Sequence, residues 1–189
     1  TPVQGSDVLT RVLFVNSGIL GQSTFSKFVR EAMALEAGID ARHINLSESL
    51  TARERLVRRA LCVRLWRVGR WGVSNLDFSP SRAEYHAGLQ AALRMRRLFR
   101  DAVPDVLHFH RQATAYASVD LMRRIPSIVS IDCTQDIMIE AARSPVERWS
   151  YEPNVAAERR IFNAAGPVVS TSARSTWFTV TACWPTTVS

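Results

Sequence analysis

The chain has 189 residues, of which 47% are hydrophobic and 22% charged, a balance that excludes a disordered or fibrous protein and suits one well-buried domain. Three cysteines, Cys62, Cys133 and Cys183, are too few and too scattered for a disulfide framework or a zinc cluster, so a reducing, cytoplasmic setting is expected. The net charge of +7 is not spread out: residues 51–72 hold seven arginines and one glutamate, a local +6, which leaves +1 for the rest of the chain.

In chain order, the block Val12 to Val15 is short, β-branched and aromatic, and reads as a first strand over 11–16, buried on both faces. A loop with Gly18 and Gly21 follows, and then Phe25, Phe28, Val29, Ala32 and Leu35 wind one apolar stripe along a helix. Ser23 or Thr24 is placed to cap that helix, and Gly38 to end it. The segment 41–46 is a second strand. The basic segment reads as a helix with Val57, Leu61, Leu65 and Val68 on one face and Arg55, Arg59, Trp66 and Arg70 roughly opposite. A further helix over 82–102 carries Tyr85, Leu89, Ala92, Leu93 and Phe99 on its apolar side. Then come a strand at 105–110, a helix at about 114–124, a strand at 127–132, a looser stretch with Pro145 and Pro153, a helix at 154–165 and a strand at 167–171. This alternation predicts an α/β fold, a Rossmann-like open parallel sheet with helices on both faces.

No apolar run approaches the roughly 20 residues that span a bilayer, and the first residues lack a signal peptide's pattern. Membrane contact is therefore expected from the surface only. Arginines beside an interfacial tryptophan suit anionic headgroups, which makes Arg55, Arg59, Trp66 and Arg70 a candidate membrane-surface set. A solvated basic face accounts for the same residues. Nothing resembles a helix-turn-helix, a zinc finger or an RNA-binding sheet, and no nucleic-acid partner is expected.

In an open parallel sheet, ligands sit outside the carboxyl ends of the strands. Asn16 to Gln22, His110 to Gln112 and Asp132 to Gln135 land there and form a polar rim. The loop around Gly18 and Gly21 turns a strand into a helix N-terminus, where N–H groups and the dipole suit a phosphate or carboxylate. It lacks the three-glycine dinucleotide fingerprint and the Gly-Lys-Ser/Thr of a P-loop. The glycines also suit a purely structural role, turning the chain sharply and letting the helix pack close. His108 and His110, two apart on a strand, face the same side, but all four histidines lie at or before His110 and no metal site is expected. His108 reads as a core histidine bonded to a neighbour. No Ser-His-Asp order or G-x-S-x-G elbow is present.

Three blocks in this order, "RVLFVNSGILGQSTFSKFVREAMALEAGID", "DVLHFHRQATAYASVDLMRRIPSIVSIDCT" and "ERRIFNAAGPVVSTSARS", resemble the N-terminal half of a GT-B glycosyltransferase, most like family 4. The match runs from about Arg11 to Ser175, and Glu158 to Ser172 is its most specific part. The resemblance implies that Gly18, Gly21 and Gln22 shape a loop facing a donor diphosphate and an acceptor, and that His110 and Arg111 line the acceptor side. Asp132 stands where many relatives carry a histidine near the reacting sugar. The implied catalytic pair is Asp132 and His110, with no metal or cofactor. The implied partners are a nucleotide-sugar donor and a sugar or lipid-linked acceptor, with the protein cytoplasmic or peripheral at the inner membrane face. Residues 1–176 would form the GT-B-like domain. The stretch 177–189 departs from the family, as a truncated or frame-shifted tail would, and the family's second, donor-binding domain has no counterpart in these residues. On this reading the chain is expected to be inactive alone.

Overall fold

The computed structural model describes residues 9–18, 22–48, 50–62, 78–131, 133–142, 144–170 and 179–180. Strands β1 (Thr10–Asn16), β2 (Ile39–Asn45), β3 (Val106–Phe109), β4 (Ser127–Ile131), β5 (Val168–Ser170) and β6 (Thr179–Val180) form one sheet in the order β2-β1-β3-β4-β5-β6. The first five run parallel, as the alternation of strands and helices predicts. The two residues of β6 add an antiparallel edge to β5 that the sequence reading did not anticipate.

Side-chain alternation along the strands separates two unlike faces. Leu13, Val15, Leu107, Phe109, Val129 and Ile131 point to one face and form the core with residues of α3 (Ser79–Leu98), α4 (Gln112–Ala115), α5 (Val119–Met122) and α7 (Pro145–Ala164). The opposite face carries Phe14, in register with His43 on one side and His108 on the other. It is covered by α1 (Gln22–Met33) through Phe25, Ser26 and Val29. Helices therefore lie on both faces of the sheet. Phe14 stacks on His43 at 4.9 Å between ring centres and lies 5.1 Å from His108. His108 donates to or accepts from Ser130 Oγ at 2.7 Å, the bonded core histidine that its place on a strand suggests.

Several local expectations need correction. The α1 stripe is not uniformly inward: Phe25 and Val29 are half-buried, whereas Phe28 is 64% exposed and Leu35 more so. The helix starts at Gln22, so Ser23 and Thr24 lie inside it rather than capping it. It stops at Met33, too early for Gly38 to be its cap; the Gly38 carbonyl instead accepts from the N–H of Thr10 at the start of β1. In α3 the buried face runs through Ser81, Gly88, Ala91, Ala92 and Met95, while Tyr85, Leu89 and Leu93 are exposed. Close helix contact, not side-chain size, selects that face, which is why most of its residues are small. The helix expected over 114–124 is two short ones, α4 and α5. The stretch read as loose is α6 (Gln135–Glu140) and the first half of α7. Ser144 accepts from the N–H of Glu147 at 3.1 Å and Pro145 occupies the first helical position, so S-P-V-E is a helix start. Pro153 lies inside α7, and its carbonyl accepts from the Tyr85 hydroxyl at 3.3 Å.

The basic segment is helical over α2 (Ala52–Cys62). Thr51 and Glu54 form a reciprocal cap, with Thr51 N–H donating to Glu54 Oε2 at 2.8 Å and Glu54 N–H to Thr51 Oγ1 at 3.2 Å. Leu65, Trp66, Val68 and Arg70 fall outside the described residues.

Gly88 sets how closely α3 meets α4. A Cβ there would lie 2.8 Å from the carbonyl oxygen of Ala113 and 3.1 Å from Tyr116 Cβ. Gly88→Ala gains helix propensity worth about 1 kcal/mol but drives a methyl into backbone, and we expect a net loss of about 1–3 kcal/mol. Gly38→Ala, whose Cβ meets nothing within 4 Å, is expected to be neutral or slightly stabilising. Urea denaturation of the two variants checks the contrast; equal effects would refute this account of α3.

Candidate functional site

The carboxyl ends of β1, β2, β3 and β4 open toward one rim, and β1 and β2 each end in a polar turn. Asn16 Oδ1 accepts from the N–H of Gly18 at 2.9 Å, and Asn45 Oδ1 accepts from the N–H and hydroxyl of Ser47 at 3.2 and 2.9 Å. These are Asx turns, in which the side chain replaces the lost ladder bond. Gly18 has φ +68°, the left-handed region that favours glycine. A Cβ on it would collide with Ser47 Oγ and Asn45 Oδ1. The structural role of this glycine is thus to let the first loop lie against the loop after β2. Gly21 and Gln22's side chain fall outside the described residues.

His110 and Arg111, adjacent in sequence, part company at the end of β3. The His110 backbone N–H bonds to Val15 O at 2.9 Å, and its ring, in a residue only 8% exposed, stacks on Phe25 of α1 at 4.1 Å. Burial together with the neighbouring His110 lowers His108 to about 4, so His108 is neutral at pH 7. Arg111 reaches the other way, and its Nη2 donates to Glu84 Oε1 of α3 at 3.0 Å. Asp132 falls outside the described residues, between Ile131 at the end of β4 and Cys133. Arg55 and Arg59 lie exposed on α2.

What joins the rim is a polar network that sequence reasoning missed. Glu158 of α7 is 2% exposed. Its Oε1 accepts from Gln112 Nε2 at 3.0 Å and its Oε2 from the N–H of Gln135 at 2.9 Å. Gln112 and Gln135 open α4 and α6, the helices that follow β3 and β4. Gln112 Nε2 also donates to Cys133 O at 2.8 Å. The second carboxylate, Glu84, accepts from Arg111, from the Tyr116 hydroxyl at 3.3 Å and, at the limit of bonding, from Gln135 Nε2 at 3.4 Å. Gln112 and Gln135 were visible in the sequence as rim residues. Glu84 lies within α3, where a glutamate carries no local signal of its own, and Glu158 stands out in the sequence only as the first residue of the block 158–172.

Burial pushes the Glu158 carboxyl up to about 7, against the lowering by its two donors. Burial likewise raises Glu84, although Arg111 opposes the shift. The Tyr116 hydroxyl is raised by burial and by Glu84, and stays protonated as a donor. Above this network, a cleft of about 230 Å³ opens between α2, α3 and the start of α4, with Ser17, Arg58, His86, Gln90 and Arg111 among its lining residues. Among the described residues, no group of three or more histidines, cysteines or carboxylates is arranged to hold a metal ion.

For Glu158, whose folded value is raised from an ordinary 4.5 to about 7, the unfolded chain releases the proton first. Its contribution to stability is intact below pH about 4.5 and is lost as pH rises through about 7. Glu158→Gln keeps one acceptor and removes the titration. We expect a flatter stability profile across that window, flatter but not level because Glu84 shifts in the same direction. Glu158→Ala strands two buried donors and is expected to cost about 1–3 kcal/mol at all pH values. Denaturant melts from pH 4 to 8 check both; an unchanged slope in Glu158→Gln would contradict the assignment.

No family model, curated protein or solved structure gives a significant match to the chain.

Proposed function

We propose that the chain is the acceptor-side half of a glycosyltransferase of the GT-B type, similar to family 4, which transfers a sugar from a nucleotide-sugar donor to an acceptor when joined to a donor-binding domain. The observation that carries the reading is Glu158. It opens the most specific of the resembling blocks, E-x-x-(I/L)-F, and its carboxylate ties together the helices that follow β3 and β4, the two strands of the second block. In this reading Gly18, Gly21 and Gln22 shape the loop that faces donor and acceptor, Arg111 lines the acceptor side, and His110 supports the rim from beneath. Asp132 orients an acceptor hydroxyl or stabilises positive charge developing on the sugar ring. The electrostatic work on a leaving diphosphate needs groups in both walls of a closed cleft.

The expected outcome is little or no transfer or hydrolysis by these residues alone, and sugar transfer once a family 4 donor-binding domain is fused after Ser170. Labelled-sugar assays on both proteins test this. Tight nucleotide-sugar binding to the single domain, or turnover by it that is lost in Asp132→Ala or His110→Ala, would overturn the half-enzyme reading.

A second reading, a non-catalytic Rossmann-like module held at an anionic membrane surface, draws on one observation. None of the residues of α2 is buried, and Leu56 and Val57 are 68% and 42% exposed beside the exposed Arg55 and Arg59. No helix among the described residues is long and apolar enough to cross a membrane. If α2 meets anionic lipid, vesicle pelleting falls with added salt and with Arg55→Ala and Arg59→Ala together. Salt-insensitive pelleting would count against it.

A further inference from the structure

Gln90 is a buried polar residue of α3 outside the rim network. It is 9% exposed, lines the cleft above Glu84, and its amide Nε2 is buried without a hydrogen-bond partner among the described residues. A buried amide donor without an acceptor among the described residues is costly and uncommon, and it marks a place where a ligand's acceptor oxygen would be favourable. Two guanidiniums share the same cleft: Arg58 from α2 and Arg111 from the start of α4. Among the described residues, Arg111 is held by one ion pair, to Glu84 through Nη2 at 3.0 Å. Glu84 is the one carboxylate in the lining and is engaged by Arg111, Tyr116 and Gln135. The imidazole of His86 is held below its ordinary value by burial and by the charge of Arg58, so it adds a neutral ring rather than a further cation at pH 7.

We infer that this cleft is a binding site for the phosphate of a phosphorylated sugar or sugar-like molecule. Residues with donor groups from three separate elements, Arg58, Gln90 and Arg111, line one space with two cations and one committed carboxylate. A tetrahedral phosphate presents three acceptor oxygens in different directions and two negative charges, which suits that set better than a planar carboxylate or a neutral hydroxyl. Leu46, Ala83, Ala87 and Ala113 give the cleft a small apolar lining against which a sugar ring or short carbon chain can lie. At about 230 Å³ it falls below the roughly 300–1,000 Å³ of drug-sized pockets, which favours a monosaccharide phosphate over a dinucleotide. That the molecule is the acceptor of a transfer rests on the glycosyltransferase reading; the anion site does not.

Calorimetry on the 189-residue chain with inorganic phosphate, a hexose 6-phosphate and the neutral hexose tests the site. Both phosphates are expected to bind saturably and the neutral hexose at least about tenfold more weakly. Arg58→Ala and Arg111→Ala each lower phosphate affinity about tenfold or more, while Arg53→Ala, the same charge change elsewhere on α2, leaves it unchanged. Gln90→Met keeps the side-chain length and removes the amide. It is expected to raise the unfolding midpoint without ligand and to abolish the phosphate-dependent rise, whereas a structural amide would lower the midpoint when removed. A parallel arm uses phosphatidylcholine vesicles with and without phosphatidic acid: pelleting that depends on Gln90 assigns the phosphate to a lipid headgroup, and hexose 6-phosphate binding with pelleting indifferent to Gln90 assigns it to a soluble molecule. Absence of saturable phosphate binding in both arms, or binding indifferent to Arg58, Gln90 and Arg111, overturns the proposal. Phosphate binding without transfer by the domain fusion would retain the site and remove the glycosyltransferase reading, and transfer to neutral acceptors without phosphate binding would do the reverse.

Discussion

The geometry of the rim depends on one buried carboxylate. Glu158 accepts from the backbone of Gln135 and the side chain of Gln112, and so fixes how two helices leave two adjacent parallel strands. A group buried to this degree is favourable only when its lone pairs are used, because desolvation otherwise exceeds any gain. Both oxygens are used. The raised affinity of Glu158 for its proton is the residual cost of that burial, and it makes the rim's rigidity depend on bonds that a shorter or misplaced side chain cannot make.

Around that fixed point the two faces of the sheet play different parts. The face toward α3, α4, α5 and α7 is apolar and supplies the core, with Leu107, Phe109, Val15 and Val129 fully buried. The face toward α1 is a row of rings, His43, Phe14 and His108, closed by His110 stacked on Phe25. His43 and His108 are lowered by burial, so the layer is held as neutral, polarisable rings rather than charges. The parting of His110 and Arg111 follows from this: the residue after a strand's last pair still obeys the pleat, and the next enters the turn of α4.

The cleft over the rim owes its character to α2 and α3 together. Arg94 of α3 donates to Asn45 O at 3.1 Å and lies 3.8 Å from Glu54, which links α2, α3 and the end of β2. This link sets α2 beside the mouth of the cleft, so that Arg58 and Arg111 come to one space although 53 positions separate them. Arg55, Arg58 and Arg59 are all exposed on this helix, and Arg58 also lines the cleft.

The sequence by itself determined the parallel sheet: Val12 to Val15, the segment 127–131 and Val168 with Val169 are apolar blocks without strict alternation, the mark of strands covered on both sides, and they alternate with helical periods. It also determined which residues reach the carboxyl ends, since Asn16, His110, Gln112 and Gln135 follow directly from where those blocks stop. Tertiary structure decided which of them meet. The pairing of Glu158 with Gln112 and Gln135, and of Glu84 with Arg111, joins positions 46, 23 and 27 residues apart, and no local period encodes a contact of that kind. It also decided the buried face of α3, where Gly88 and Ala91 win over Tyr85, Leu89 and Leu93. An apolar period reports where hydrophobic side chains recur along a helix, whereas burial is set by which face lets two backbones approach, and on this helix the two differ.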